Sequence, residues 1–128
     1  MAADPVRMAE IADQIHVALE SADLLAYRDL LDPNVTWGAP DDSNPGCRNR
    51  DEVLAWYRRG RADGVRATVT EADAHGDKIL VGLRVVDERS PGEPGNPTER
   101  WQILTISKGL ISDIRGFEDR SQAMSRLS

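Results

Sequence analysis

Apolar residues recur at three- and four-residue steps near the start of the chain. Met8, Ile11, Ile15, Ala18, Leu19 and Ala22 form one stripe of a long helix. Asp4 and Pro5 ahead of it read as cap and first-turn proline, and Ser21 and Asp23 break it. His16 lies at the edge of the stripe and reads as a boundary histidine without a ligand role. Asp23 is placed to cap a short second helix over Leu24 to Leu31, which has to stop before Pro33. Val35, Thr36 and Trp37 then predict a brief strand closed by Gly38 and Pro40. Asn49, with Glu52 three residues on, opens a third helix whose Val53, Trp56, Tyr57 and Gly60 share a face.

After Gly64, a plausible C-cap, the period drops to two. Val65, Ala67 and Val69 alternate with Arg66, Thr68 and Thr70; the apolar phase then shifts to Ala72 and Ala74, which predicts a bulge near Glu71. Gly76-Asp77 turns the chain, with His75 at the hairpin tip, into Lys78 to Val86. That strand is apolar on both faces apart from Arg84, so it should be central, with helices on one side and a second subunit on the other. Ser90 to Pro97 reads as a loop inside a hairpin. Thr98 to Ser107 follows, with Trp101 and Ile103 on one face and Gln102, Leu104 and Ile106 on the other. Lys108-Gly109 leads into Leu110 to Phe117, and Asp119 with Gln122 can cap a closing helix carrying Ala123, Met124 and Leu127.

The 128 residues suit one domain spanning 1–128, large enough to bury a core without a metal or disulfide staple. With 40% hydrophobic and 30% charged residues the composition is that of a soluble protein. No run approaches the ~20 apolar residues of a membrane helix, and Met1 to Glu10 carry no apolar signal core, so no membrane partner and a cytoplasmic location are expected. Cys47 is the only cysteine, which rules out an internal disulfide and a thiolate metal cluster. A net charge of −6 argues against nucleic acid as a partner. Neither a metal nor another cofactor is expected.

Four stretches in order carry a family resemblance: LESAD at the end of the first helix, LLDPNVTW, RNRDEVLAWY, and GLISDIRGFEDRSQAM at the end of the chain. Together they resemble the nuclear transport factor 2-like superfamily, which includes SnoaL-like polyketide cyclases and ketosteroid isomerases. The resemblance implies an α+β fold. A curved, mostly antiparallel sheet would wrap around three N-terminal helices to form a cone with an internal pocket. It also implies a homodimer. Residue by residue, it removes the best-known chemistry. The isomerases keep a carboxylate base just before the proline that ends the first short strand, and that position here is Ala39. Their oxyanion tyrosine falls near Ile15 and their buried acid most nearly at Gln102, and neither Ala39 nor Ile15 can exchange a proton. Asp41 and Asp42 sit in the adjoining loop and are expected to be solvated.

SnoaL-like cyclases place an acid/base carboxylate on the C-terminal strands, which points to Asp113, in phase with Ile111 and Phe117 by the two-residue period. Among apolar neighbours its pKa should be raised; the alternative is an ion pair with Arg115. Asp113 and Tyr57 are accordingly the candidate catalytic residues. Trp37, Trp56, Tyr57, Gln102, Leu104, Asp113 and Phe117 are the expected lining of a pocket for a small apolar molecule, unless the large side chains simply fill the cone. Arg84 with Asp113 and Asp73 or Glu99 could imitate the superfamily's epoxide hydrolases, against a plain cross-strand salt bridge. Cys47 could be nucleophilic only if Arg48 and Arg50 lower its pKa. Two functions remain open. One is acid/base catalysis of cyclase, isomerase or hydrolase type on a small apolar substrate; the other is a non-catalytic ligand-binding or dimeric interaction module.

Overall fold

A computed structural model of the chain describes residues 4–39, 41, 43, 46–87 and 98–127. Pro40, Asp42 and the predicted loop from Ser90 to Pro97 lie outside the described residues. Helix α1 spans Pro5–Glu20, with the Asp4 carboxylate accepting from the Val6 amide at 3.0 Å and proline in the first turn. Met8, Ile11, Ala12, Ile15 and Ala18 are buried, while His16 is exposed as expected. The helix ends with nested backbone bonds, the Ala22 amide donating to the Leu19 carbonyl and the Asp23 amide to the Ala18 carbonyl. This closure puts Ala22 in the left-handed region at φ +54°, where it leaves the stripe rather than extending it.

Helix α2 is shorter than its pattern predicts: it covers Leu24–Arg28, capped by Asp23, and strand β1 already begins at Leu31 (Leu31–Gly38). Leu31 and Val35 therefore enter the core from a strand. Pro33 sits within β1, in the stretch between Leu31 and Thr36 where the register is irregular, so its missing N–H costs no ladder bond. The Asp32 carboxylate turns the chain there by accepting from the Asn34 amide at 2.8 Å. Helix α3 spans Arg50–Ala62; Asn49 Oδ1 accepts from the Glu52 amide at 2.9 Å, and Gly64 at φ +89° follows its C-terminus.

Strands β2 (Val65–His75), β3 (Lys78–Asp87), β4 (Thr98–Ser107) and β5 (Leu110–Phe117) form an antiparallel meander, and helix α4 (Arg120–Ser125) closes the described chain. The sheet order is β1-β5-β4-β3-β2, with β1 alone parallel to its neighbour. The predicted bulge is present: pairing skips Thr70, between Val69↔Leu83 and Glu71↔Gly82. A second, unpredicted bulge skips Ser112, between Ile106↔Ile111 and Thr105↔Asp113. Both bulges bend strands of an open sheet around the helices. At the β2 edge, the Glu20 carboxylate accepts from the Val69 amide at 2.6 Å and anchors α1 on the strand.

The main core lies between the inner face of the sheet and α1, α2 and α3, joining Ile11, Ile15 and Tyr27 to Val53, Leu54, Val81, Leu104 and Ile114. A smaller cluster on the outer face joins Leu80, Ile103, Phe117 and Ala123, with Trp101, Met124 and Leu127 packed against it. The second apolar face of β3 is thus covered at Leu80 by α4, and Trp101 lies over Gly82. A Cβ on Gly82 would stand 2.5 Å from Trp101 Cζ3 and 2.6 Å from Thr70 Oγ1. Part of the covering that the pattern assigned to a second subunit comes here from the same chain.

Candidate functional site

Four aromatic side chains converge where α2, α3 and the end of β1 meet. Trp37 stacks on Tyr57 with ring centroids 5.1 Å apart, and meets Trp56 edge-on at 6.1 Å. Tyr57 in turn meets Tyr27 edge-on at 5.4 Å. Helical spacing accounts for part of this: Val53 and Tyr57, four apart on α3, both face the core. Trp37 is held by a two-way backbone bridge to Cys47, which pins the loop before α3 against the end of β1. Trp56 is left 56% exposed at the rim.

Trp37, Trp56 and Tyr57 form one wall of a cavity of about 510 Å³, whose other walls come from Ala18, Leu19 and Leu24 on the N-terminal helices and Ala67, Leu83, Val85 and Gln102 on the sheet. Gln102 is the buried polar residue of the described core. Its Oε1, the Tyr57 hydroxyl and, behind it, the Tyr27 hydroxyl are buried without a hydrogen-bond partner. Burial pushes the Tyr57 pKa up; Gln102 and Tyr27 lie near enough to pull it partly back without meeting hydrogen-bond geometry, and Cys47 adds a small rise. Tyr27 is raised well above the ordinary value of 10.0, by burial first and then by Tyr57. At neutral pH both phenols keep their protons, so Tyr57 is a hydrogen-bond donor and not a base.

Of the expected pocket residues, the structure brings Trp37, Trp56, Tyr57, Gln102 and Phe117 onto the lining and leaves out Leu104 and Asp113. Leu104 is fully buried in the core. Asp113 fails for a specific reason, the bulge at Ser112. Ile111 faces the core, but beyond the skipped residue it is Ile114 that continues that face. Phe117 shares the phase of Asp113 and Arg115 and packs in the outer cluster, meeting the cavity only at the end of β5. Asp113 and Arg115 pair with Thr105 and Ile103 on the other side of the sheet. There the Thr36 hydroxyl donates to Asp113 Oδ1 at 2.6 Å, and Arg115 Nε donates to both carboxylate oxygens at 3.2 and 3.1 Å. Arg115 also donates to the Ala39 carbonyl at 2.8 Å, so this network ties β1 to β5 and holds the chain entering the loop. The geometry is that of the ion-pair alternative, away from the cavity.

The remaining candidates are also placed. Arg84 makes an exposed cross-strand contact with Glu99 at 3.8 Å, without Asp113. Asp41 is exposed and bridged to Arg126. His75 ends β2 at the hairpin tip, exposed. The Cys47 thiol is pushed up, not down, first by burial and then by Glu52, which removes the basis for a nucleophilic role. Among the described residues no group of three His, Cys, Asp or Glu side chains could hold a metal ion. Two features escaped the sequence pattern. One is Tyr27, whose partner Tyr57 is far away in the chain. The other is a set of arginines at the cavity's edge, Arg61, Arg66 and Arg100, which come from three different elements or turns.

A model of the SnoaL-like domain matches residues 12–114. The chain belongs to the SnoaL-like domain family. Solved structures similar to this SnoaL-like chain include an uncharacterised cystatin-fold protein from Novosphingobium aromaticivorans, at 13% identity with a TM-score of 0.72, covering 86% of this chain and 97% of that one. A candidate polyketide cyclase from Sinorhizobium meliloti is 21% identical with a TM-score of 0.65, covering 90% and 100%. A candidate ketosteroid isomerase from Kribbella flavida is 19% identical with a TM-score of 0.71, covering 91% and 80%. No curated protein matches the sequence. Identities this low establish a shared fold for the SnoaL-like chain and no common chemistry.

Proposed function

We propose that this SnoaL-like domain binds a small, largely apolar molecule bearing a carbonyl or hydroxyl group. The observation that carries the proposal is an apolar aromatic cavity with Tyr57 and Gln102 among its lining residues, whose Tyr57 hydroxyl and Gln102 Oε1 are buried beneath that lining without a hydrogen-bond partner. A buried polar group without a partner is destabilising by about 1–3 kcal/mol, a cost that a ligand group can remove. Tyr57 would donate to a ligand oxygen and Gln102 Oε1 would accept from a hydroxyl. Neighbours named as a polyketide cyclase and a ketosteroid isomerase agree with a small-molecule role at this coarse level. Among the described residues Glu118 is the one carboxylate on the lining, so binding is favoured over acid/base catalysis through Asp113.

The test compares a fused-ring ketone with the hydrocarbon of the same skeleton, followed by the fluorescence of Trp37 and Trp56. The ketone should bind about ten-fold more tightly, the worth of about one hydrogen bond in a buried site. Equal affinities, or no binding by either, would overturn the proposal. A cytoplasmic setting and a homodimer belong to the same reading. The first is supported by the absence, among the described residues, of any helix long and apolar enough to cross a membrane. The second rests on the part of the outer sheet face that α4 leaves open, where Val86 and Trp101 are only half-buried.

A further inference from the structure

Two glycines on the cavity lining answer to nothing in the fold: Gly60 in the last turn of α3 and Gly116 in β5. Unlike Gly64 at φ +89°, neither has a positive φ, and the C-cap of α3 is Asp63 rather than Gly60. Unlike Gly82, neither has a side chain standing where a Cβ would go. A Cβ on Gly60 would stand 3.9 Å from Val65 Cβ, an ordinary contact, and one on Gly116 would have no atom of the described residues within 4 Å. Glycine nevertheless weakens a helix relative to alanine and leaves a strand with no side chain to pack. Both positions therefore forgo stability that a methyl group would supply without a clash.

Their neighbours show what the bare backbone serves. Gly60 lies one turn from Trp56 and Tyr57 on α3, and all three line the cavity. Gly116 pairs with Gln102 across β4 and β5, so a side chain there would stand about 5 Å from that of Gln102. The glycines thus open the approach to the buried Tyr57 hydroxyl and Gln102 amide, one from the helix side and one from the sheet side. We infer that Gly60 and Gly116 are the specificity-determining residues of this cavity. The occupant lays a broad, rigid, flat ring system against the backbone at both, with its oxygen toward Gln102 and its far edge against Trp56, which is 56% exposed. Backbone without a side chain is where a ligand plane can approach most closely. A flexible chain could bend past a methyl group at either position; a rigid plane could not. The inference rests on the proposed cavity binding and adds the shape of the occupant and the residues that select it.

Two ketones with the same number of carbon atoms separate the inference from its premise: fluorenone, three fused rings in one plane, and 7-tridecanone, an open chain. Both are titrated into the folded protein and followed by tryptophan fluorescence. Gly60→Ala and Gly116→Ala should each weaken fluorenone about ten-fold, as a rigid body is forced against an added methyl group, and change tridecanone by less than about twofold. Both variants should keep or raise the midpoint of urea unfolding, because alanine leaves the unfolded chain less freedom than glycine. Gly46→Ala, at a loop position off the lining with equal room, should alter neither ketone. Fluorenone binding untouched by both lining substitutions, or equal weakening of the two ketones, would leave the cavity reading standing and overturn the role of the glycines. A lowered urea midpoint would also overturn it, by showing that the fold itself requires glycine there. Failure of both ketones to bind the unaltered protein would overturn cavity binding and the inference together.

Discussion

Tyr57 sits against the interests of the fold. Its hydroxyl is buried without a partner, and so is that of Tyr27 behind it. Removing either one spares the empty protein a desolvation cost, so Tyr57→Phe should stabilise the unliganded fold by about 1 kcal/mol in urea while weakening binding of an oxygen-bearing ligand. The same burial sets the alkaline limb of stability. Both folded tyrosines have pKa values above 10.0, and unfolded tyrosines ionise near it. The folded state therefore holds more protons above that pH, and stability should fall as pH rises further. The doubly substituted Tyr27→Phe, Tyr57→Phe protein should show a shallower loss. Asp113 gives the opposite signature. Asp113→Asn weakens its bonds with Thr36 and Arg115 and should cost about 1–2 kcal/mol, leaving affinity for cavity ligands within about twofold. A large loss of binding without loss of stability would return Asp113 to the site.

At the level of elements, two joints decide how the sheet is covered. Trp101 lies where a side chain on Gly82 would be, and Gly82 has no positive φ to complicate the matter. Gly82→Ala should destabilise by about 2–3 kcal/mol through overpacking, measurable by denaturant titration. The second joint is Arg120 at the start of α4, which lies over the Trp101 ring at 5.9 Å and donates to Glu71 at 2.7 and 3.3 Å. Arg120 holds the Glu71 carboxyl below its ordinary 4.5, with Asp73 and His75 helping and burial opposing. A depressed carboxylate adds stability above its unfolded pKa and loses it as pH falls through the folded value. Arg120→Gln should therefore flatten the acid limb below about pH 4.5, and an unchanged limb would show that the pair is idle.

Element patterns were legible wherever one face is wet: α1, α3, β2 with its bulge, and the hairpin turns all follow from spacing and caps. Leu30 and Leu31 misled because a parallel strand and a helix end look alike over so few residues, and only the distant β5 decides between them. The phase of Asp113 was misread for a related reason. The bulge at Ser112 is set by pairing with β4, and nothing local announces it.

For the whole molecule, the sequence reached the family, and Trp37, Trp56 and Tyr57 stand together beside the cavity because aromatic residues on a recognisable helix and strand carry their position with them. It did not reach the arginines at the mouth. Arg61, Arg66 and Arg100 are unremarkable in their own segments, and only the closing of the sheet assembles them. The open part of the outer face is the proposed dimer surface. Sedimentation at micromolar concentration should give about twice the chain mass of 14.1 kDa, and a monomer mass would restrict function to the cavity.

The parallel pairing of β1 with β5 also bears on how the chain is made. Thr36 and Asp113 are neighbours in the sheet yet 77 residues apart in sequence. On a ribosome β1 emerges early and waits for its sheet neighbour until nearly the whole chain has been synthesised. Closing that long loop is entropically unfavourable and comes late. The meander from β2 to β4 can pair as it appears. The pairing of β1 with β5 is therefore the last to form, and a nascent chain arrested before Leu110 would display Leu31 and Val35 to any chaperone or protease nearby.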